Sequence, residues 1–159
     1  MQIRIIAVGK IKERFLQEGI AEYERRLRPY VKLRIVELAD EKRPASASPA
    51  TESAAMEKEG ERIIGAIPDG SYVIALDVKG QGWSSQDLAA SFAERELSGR
   101  NTIAFVIGGD LGLDPAVLAR SDIRLSLSKM TFTHPIARFI LMEQIYRACR
   151  INSGEPYHK

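Results

Sequence analysis

Apolar and polar positions follow a repeating rhythm along the chain. "IRIIAV" (3–8) is a run of mostly β-branched apolar residues and predicts a buried strand. Phe15, Leu16, Ile20, Tyr23 and Leu27 then recur at helical spacing near one face. "VKLRIVEL" (31–38) largely alternates, as a half-buried strand does, and "ADEKRPASASPAT" (39–51) predicts a mobile surface loop. Helix-like "ESAAMEKEGERIIGAI" leads to a strand at "SYVIALD" (71–77). Ser84 and Ser85 can cap a helix carrying Leu88, Phe92 and Leu97. "NTIAFVI" (101–107) is a buried-type strand, and Asp114-Pro115 suits the start of a short helix. "IRLSL" (123–127) is the last strand, and Pro135 opens the last helix. Strands alternate with helices, with no internal repeat and no second-domain boundary. The expectation is one α/β domain over 1–159: a mostly parallel sheet with helices on both faces.

Composition narrows the class. A chain of 159 residues suffices for one well-cored domain, and 45% hydrophobic with 28% charged residues is ordinary for a globular protein. No apolar run approaches the roughly 20 residues of a membrane span. The opening "MQIRIIAVGKIKERF" lacks the long apolar stretch of a signal peptide, and the one cysteine, Cys149, has no internal partner, so a reducing cytoplasm is expected. Net charge is only +2, but Arg25, Arg26, Arg28, Lys32 and Arg34 crowd into "ERRLRPYVKLR". That patch either attracts a polyanion such as RNA or is a solvated helix end and strand face.

In parallel α/β folds ligands lie beyond the carboxyl ends of the strands. Two predicted strand ends are rich in glycine: "IALDVKGQGW", where Leu76-Asp77 closes a strand and Gly80 and Gly82 loosen the turn, and "FVIGGDLGL", with Gly108, Gly109 and Gly112. Glycine there permits a sharp turn and close ligand approach, although tight turns alone also call for it. Neither loop fits G-x-G-x-x-G, and no G-x-x-x-x-G-K-[ST] occurs, which argues against dinucleotide and P-loop enzymes. Two histidines and one cysteine provide no zinc-spaced cluster, so no metal is expected. The absence of G-x-S-x-G argues against a serine hydrolase. What remains is a cofactor held by backbone amides.

"FVIGGDLGL" followed by "LSLSKMTFTHPIARFILMEQIYRACRINSGEPYHK" closely resembles the RlmH family of ribosomal RNA large-subunit methyltransferases. These are minimal members of the SPOUT superfamily, which transfer methyl from S-adenosylmethionine. The resemblance runs from "IRIIAVGKIKERF" to the final "YHK", and "IGG", "LS-x-MTF-x-H" and "PYHK" in that order are specific as a combination. Asp110 departs from the pattern, since relatives more often carry Ser or Pro there. The resemblance implies a C-terminal trefoil knot and S-adenosyl-L-methionine held by backbone around Leu76, Gly108, Gly109 and the run Leu127, Ser128, Lys129, Met130, Thr131 and Phe132. Leu76, Leu127, Met130 and Phe132 could also wall a flat slot for adenine.

The target implied is N3 of a pseudouridine in a hairpin of large-subunit rRNA. Methylating N3 requires loss of its proton and stabilisation of an enolate-like charge. Candidates for these roles are His134, Arg147, Tyr157, His158 and Lys159. Plainer readings exist for each: His134 as a loop or capping residue, Arg147 as the ion-pair partner of Glu143 four residues before it, and the tail as an inconsequential surface segment. In the last helix Ile136, Phe139, Ile140, Leu141, Met142, Ile145, Tyr146 and Cys149 cover most of the circumference, which implies a second apolar partner and hence a homodimer. A non-catalytic RNA- or ribosome-binding module with a vestigial nucleotide pocket is the competing reading.

Overall fold

The computed structural model describes residues 1–157. Strands β1 (Gln2–Val8), β2 (Lys32–Leu38), β3 (Tyr72–Gly82), β4 (Thr102–Ile107) and β5 (Ile123–Ser126) alternate with helices α1 (Arg14–Leu27), α2 (Pro49–Ala66), α3 (Ser85–Leu97), α4 (Pro115–Arg120) and α5 (His134–Asn152). The sheet order is β2-β1-β4-β3-β5 and every pairing is parallel. Parallel strands need crossovers, and a helix over each face supplies them. Ile3, Ile5 and Ala7 of β1 bury against α1, α3 and α5, while Ile6 and Val8 bury against Ile63 of α2 and Val117 of α4. Leftward crossovers use α1 and α3 and rightward ones use α2 and α4, so all share one hand.

β1 and β4 are neighbours whose outgoing connections leave toward opposite faces. Such a switch point opens a crevice at the carboxyl ends of the strands. Residues 127–133 carry the chain from the β5 edge back to the β1 end, and α5 then lies between α1 and α3.

Local chemistry fixes the helix starts. Ser84 caps α3 in a reciprocal box with Asp87, Ser48 caps α2 ahead of Pro49, and Asp114 caps α4 ahead of Pro115. Several expectations change. The segment 39–51 is shorter as a loop, because α2 already begins at Pro49, and it is tied down: the Glu41 amide donates to Glu59 and Arg43 pairs with Asp110. β3 runs on to Gly82, so Gly80 and Gly82 belong to a strand interrupted by a bulge rather than to a terminal turn. A Cβ at Gly80 would lie 2.6 Å from the Arg124 carbonyl oxygen, which is why glycine sits there. Phe15 and Leu97, expected on core faces, are 68% and 89% exposed. Phe15 turns off the face that its neighbour Leu16 buries with Ile20 and Leu27, and Leu97 is the last residue of its helix.

The wide apolar stripe of α5 finds its flanks within the chain, since α1 covers one side and α3 the other. It therefore does not by itself call for a second subunit. Phe105, fully buried beneath Phe92, measures the core directly. Phe105→Ala should cost about 3–5 kcal/mol and Leu97→Ala no more than about 0.5 kcal/mol in denaturant melts. Equal losses would contradict this core.

Candidate active site

Two groups of candidate residues occupy opposite ends of α5. At its start, His134 is the first helical residue, and its ring packs on Gly9 in the turn after β1. A Cβ at Gly9 would fall 3.1 Å from two imidazole atoms, and the φ of +93° there favours glycine. One turn later, Arg138 is 2% exposed; its Nη1 donates to Glu37 of β2 at 2.7 Å and its Nη2 to the Gly9 carbonyl at 3.1 Å. Burial, reinforced by the Arg138 charge, holds the His134 pKa below its ordinary value, so the imidazole is neutral at neutral pH. Its buried Nδ1 has no hydrogen-bond partner among the described residues.

A cavity of about 460 Å³ opens beside this ring, lined by Gly9, Asp40, Glu41, Arg43, Gly109, Asp110 and neighbours. Beneath Gly109 lies Glu59 of α2, only 3% exposed. Its Oε2 accepts from the Glu41 amide at 3.0 Å, whereas Oε1 is buried without a hydrogen-bond partner among the described residues. Desolvation raises its pKa, and Asp110 and Asp40 add to that. Asp110, the departure from the family pattern, is held below the usual carboxylate range by Arg43 at 2.7 Å.

The expected cofactor residues gather at this end of the sheet. Leu76 is the last β3 residue before the bulge, facing Leu125 of β5. Gly108 and Gly109 follow β4, and Leu127–Phe132 fill the passage from β5 to α5. Ser128 closes a tight turn, its Oγ accepting from the Met130 amide at 3.0 Å. Lys129, Met130 and Thr131 are exposed, while Leu127, Ser128 and Phe132 are half-buried. Gly108 is required by its own loop, because a Cβ there would lie 2.7 Å from the Gly112 carbonyl oxygen. A bulky substitution at 108 would therefore rebuild the loop, and loss of cofactor binding would not isolate a contact.

Arg147 and Tyr157 meet beyond the middle of α5. Arg147 donates to Glu143 at 2.7 Å, as the helix spacing allows, and also lies 4.7 Å over the Tyr157 ring. The Tyr157 hydroxyl donates to Glu143 at 3.2 Å, and its ring meets Tyr146 edge-on at 4.9 Å. Burial pushes its pKa up, so Tyr157 keeps its proton and acts as a donor or stacking face rather than a base. His158 and Lys159 lie outside the described residues. His134 and Arg147 are separated by thirteen residues of one helix, about 20 Å. One chain brings Arg147 to Tyr157 and does not bring either to His134.

Glu59 and Arg138 were not singled out from the sequence. For Arg138 a signal existed: a lone cation four residues after His134 inside an apolar helical stripe. Glu59, in the charged run "MEKEGER", carries no such mark. Cys149 is buried in the core and its pKa is pushed up to about 12 by burial, which makes it an inert packing residue.

Residues 1–158 match the family described as "Predicted SPOUT methyltransferase". Full-length relatives include a protein of Methanoregula boonei at 65% identity over all of both chains. The proteins called ribosomal RNA large subunit methyltransferase H of Symbiobacterium thermophilum and Carboxydothermus hydrogenoformans are 54% and 52% identical, again over all of both chains. A solved structure described as a probable methylase family protein from Haemophilus influenzae Rd KW20 shares the fold, at TM-score 0.50 and 15% identity, over 99% of this chain and 70% of that one. The chain belongs to the SPOUT methyltransferase family. Within it, its place is among the relatives that carry the name ribosomal RNA large subunit methyltransferase H, the RlmH family.

Glu59 offers a test of the site's electrostatics. Its folded-state pKa lies above that of the unfolded chain, about 4.3, so its contribution to stability is complete below that value and is lost as pH rises through the folded value. Glu59→Gln keeps an acceptor for the Glu41 amide and removes the charge. It should raise Tm at about pH 7–8, with the gain shrinking as pH falls toward the ordinary carboxylate range. Melts showing a gain that grows on acidification would contradict the assignment.

Proposed function

We propose that the protein is an S-adenosylmethionine-dependent methyltransferase that acts on N3 of a pseudouridine in large-subunit (23S) ribosomal RNA. In this reading each subunit is one domain over residues 1–159 and two subunits form a homodimer in the cytoplasm. The observation that carries it is a cavity at the switch point of the sheet that a neutral histidine and the glycine loop line together, in a chain whose named relatives match it end to end.

The donor set fits the cofactor. The cavity beside His134 is lined by the carboxylates of Asp40, Glu41 and Asp110. Lys42 and Arg43 line it as well and Arg43 is paired with Asp110, so charges of both signs meet there. S-adenosylmethionine, with a sulfonium, an ammonium and a carboxylate, likewise carries both. Leu76, Gly108, Gly109 and residues 127–132 would hold the adenosyl part through backbone groups and apolar contacts. When bound, the cofactor supplies an electrophilic methyl group.

The protein's residues handle the proton and the charge. Neutral His134 is the group suited to accept the N3 proton near pH 7. Arg147, steadied by Glu143 and stacked on Tyr157, is suited to neutralise the charge that develops on the adjacent carbonyl oxygens. Because about 20 Å of one helix separates them, a single chain cannot offer both to one nucleotide. Two antiparallel copies can, with Arg147 and Tyr157 of one protomer facing the 127–134 segment of its partner. Exposed Phe15 and Met130, and half-buried Ile140 outside both core clusters, leave apolar surface for such an interface.

Incubation with methyl-labelled cofactor and, separately, naked rRNA, large subunits and assembled ribosomes tests the reading. It predicts label on one pseudouridine N3, and cofactor binding without substrate in calorimetry. Absence of both would overturn it. Tyr157→Ala should lower turnover by about 10²–10⁴-fold with cofactor affinity kept. It should also lower Tm, because the ring is packed on Tyr146. Unchanged turnover would remove Tyr157 from the site.

A further inference from the structure

The cationic stretch "ERRLRPYVKLR" divides in two once folded. Arg25 and Arg26 both pair with Glu22, at 2.6 and 2.8 Å. Arg28, Lys32 and Arg34 are exposed and have no ion-pair partner among the described residues. Arg28 and Lys32 line a groove of about 390 Å³ at the amino end of the sheet, together with Gln2, Tyr30 and Asn101 among others. Among the described residues no carboxylate lines it, in contrast to the cavity beside His134. Arg100, exposed and next to Asn101, extends the positive rim. Lys32 and Arg34 alternate on β2 and so project from the same side of the edge strand, about 7 Å apart.

Two plainer roles are available. Arg28 at the C-cap of α1 complements the helix dipole, and cations on an edge strand discourage pairing with other chains. Neither accounts for a concave groove whose lining gathers cations, amides and a tyrosine, with Glu96 and Glu155 engaged by the Met1 ammonium and the Tyr30 hydroxyl.

The groove also shares a wall with the Arg147 and Tyr157 cluster. The Tyr30 hydroxyl donates to Glu155 at 2.8 Å and accepts from Arg150 at 3.1 Å. The Tyr30 ring meets Tyr146, at 6.0 Å between centroids, and Tyr146 meets Tyr157. Tyr30 thus links one wall of the groove to the Tyr157 cluster, while Lys32 and Arg34, in register with Gln2 and Arg4, turn toward the α2 side of the edge.

We propose that the groove of Arg28, Lys32 and Asn101, extended by Arg34 and Arg100, holds the phosphodiester backbone of the rRNA beside the methylated nucleotide. The proposal rests on the rRNA methyltransferase reading. Affinity so won is sequence-independent and salt-dependent, which suits an enzyme with no appended RNA-binding domain.

The test measures binding of the full-length protein to purified ribosomes and to naked large-subunit rRNA across a salt series. It compares wild type, R28A/K32A, the charge-preserving R28K/K32R, and K58A as a surface control on α2. For R28A/K32A, the slope of log affinity against log salt should flatten by about 0.7–0.9 for each phosphate no longer neutralised, and KM should rise. R28K/K32R and K58A should keep the wild-type slope, and all variants should keep wild-type Tm and cofactor affinity. A folded R28A/K32A protein with an unchanged slope and KM would overturn the groove. Failure of the wild type to transfer methyl would overturn the enzyme reading instead, while the binding slopes would still decide the groove.

Discussion

The carboxyl end of the sheet depends on how one buried guanidinium is held. Arg138 projects from α5 into the space between the ends of β1 and β2, where Glu37 and the Gly9 carbonyl receive it. An arginine removed from water is costly unless paired, so both partners must stay in place. Their retention fixes the first turn of α5 against β1, seats His134 on Gly9, and adds a positive charge to the burial that keeps that imidazole neutral. The 127–133 segment, which ends at this helix, has its far end set by the same contacts. Packing, proton affinity and the path of the chain are thus coupled through a single side chain.

The same helix divides the candidate chemistry. α5 is nineteen residues long and lies packed between α1 and α3, so it behaves as a rigid spacer. His134 and the cofactor-type loops sit at one end, and Arg147, Tyr157 and the cationic groove at the other. The proposed shared site answers this separation, with each protomer supplying one end of the helix. The proposed homodimer rests on this separation rather than on the apolar stripe of α5.

Much of this architecture was legible in the sequence because each level pointed the same way. Apolar strands such as "IRIIAV" and "NTIAFVI", capped helices at Ser84 and Asp114, and glycines after β4 specify a parallel α/β sheet with loops at its carboxyl end. Three features were not legible. The bulge that extends β3 to Gly82 depends on the approach of the Arg124 backbone, a contact between residues distant in sequence. The exposure of Phe15 and Leu97 depends on which edge of the apolar face turns inward and on where the helix ends, which an apolar residue near the pattern does not reveal. Burial of Glu59 and Arg138 depends on partners from other elements, and a charged residue in a helix ordinarily reads as surface.

Subunit complementation tests the composite site most directly. Chains carrying His134→Ala and chains carrying Tyr157→Ala would be assayed for ribosome methylation separately, then after dissociation and reassociation as a mixture. In a site shared between protomers, each heterodimer regains one intact site. An equal mixture should therefore recover about a quarter of wild-type activity from two nearly inactive parents. A mixture no more active than its parents, with heterodimers shown to form, would contradict the shared site.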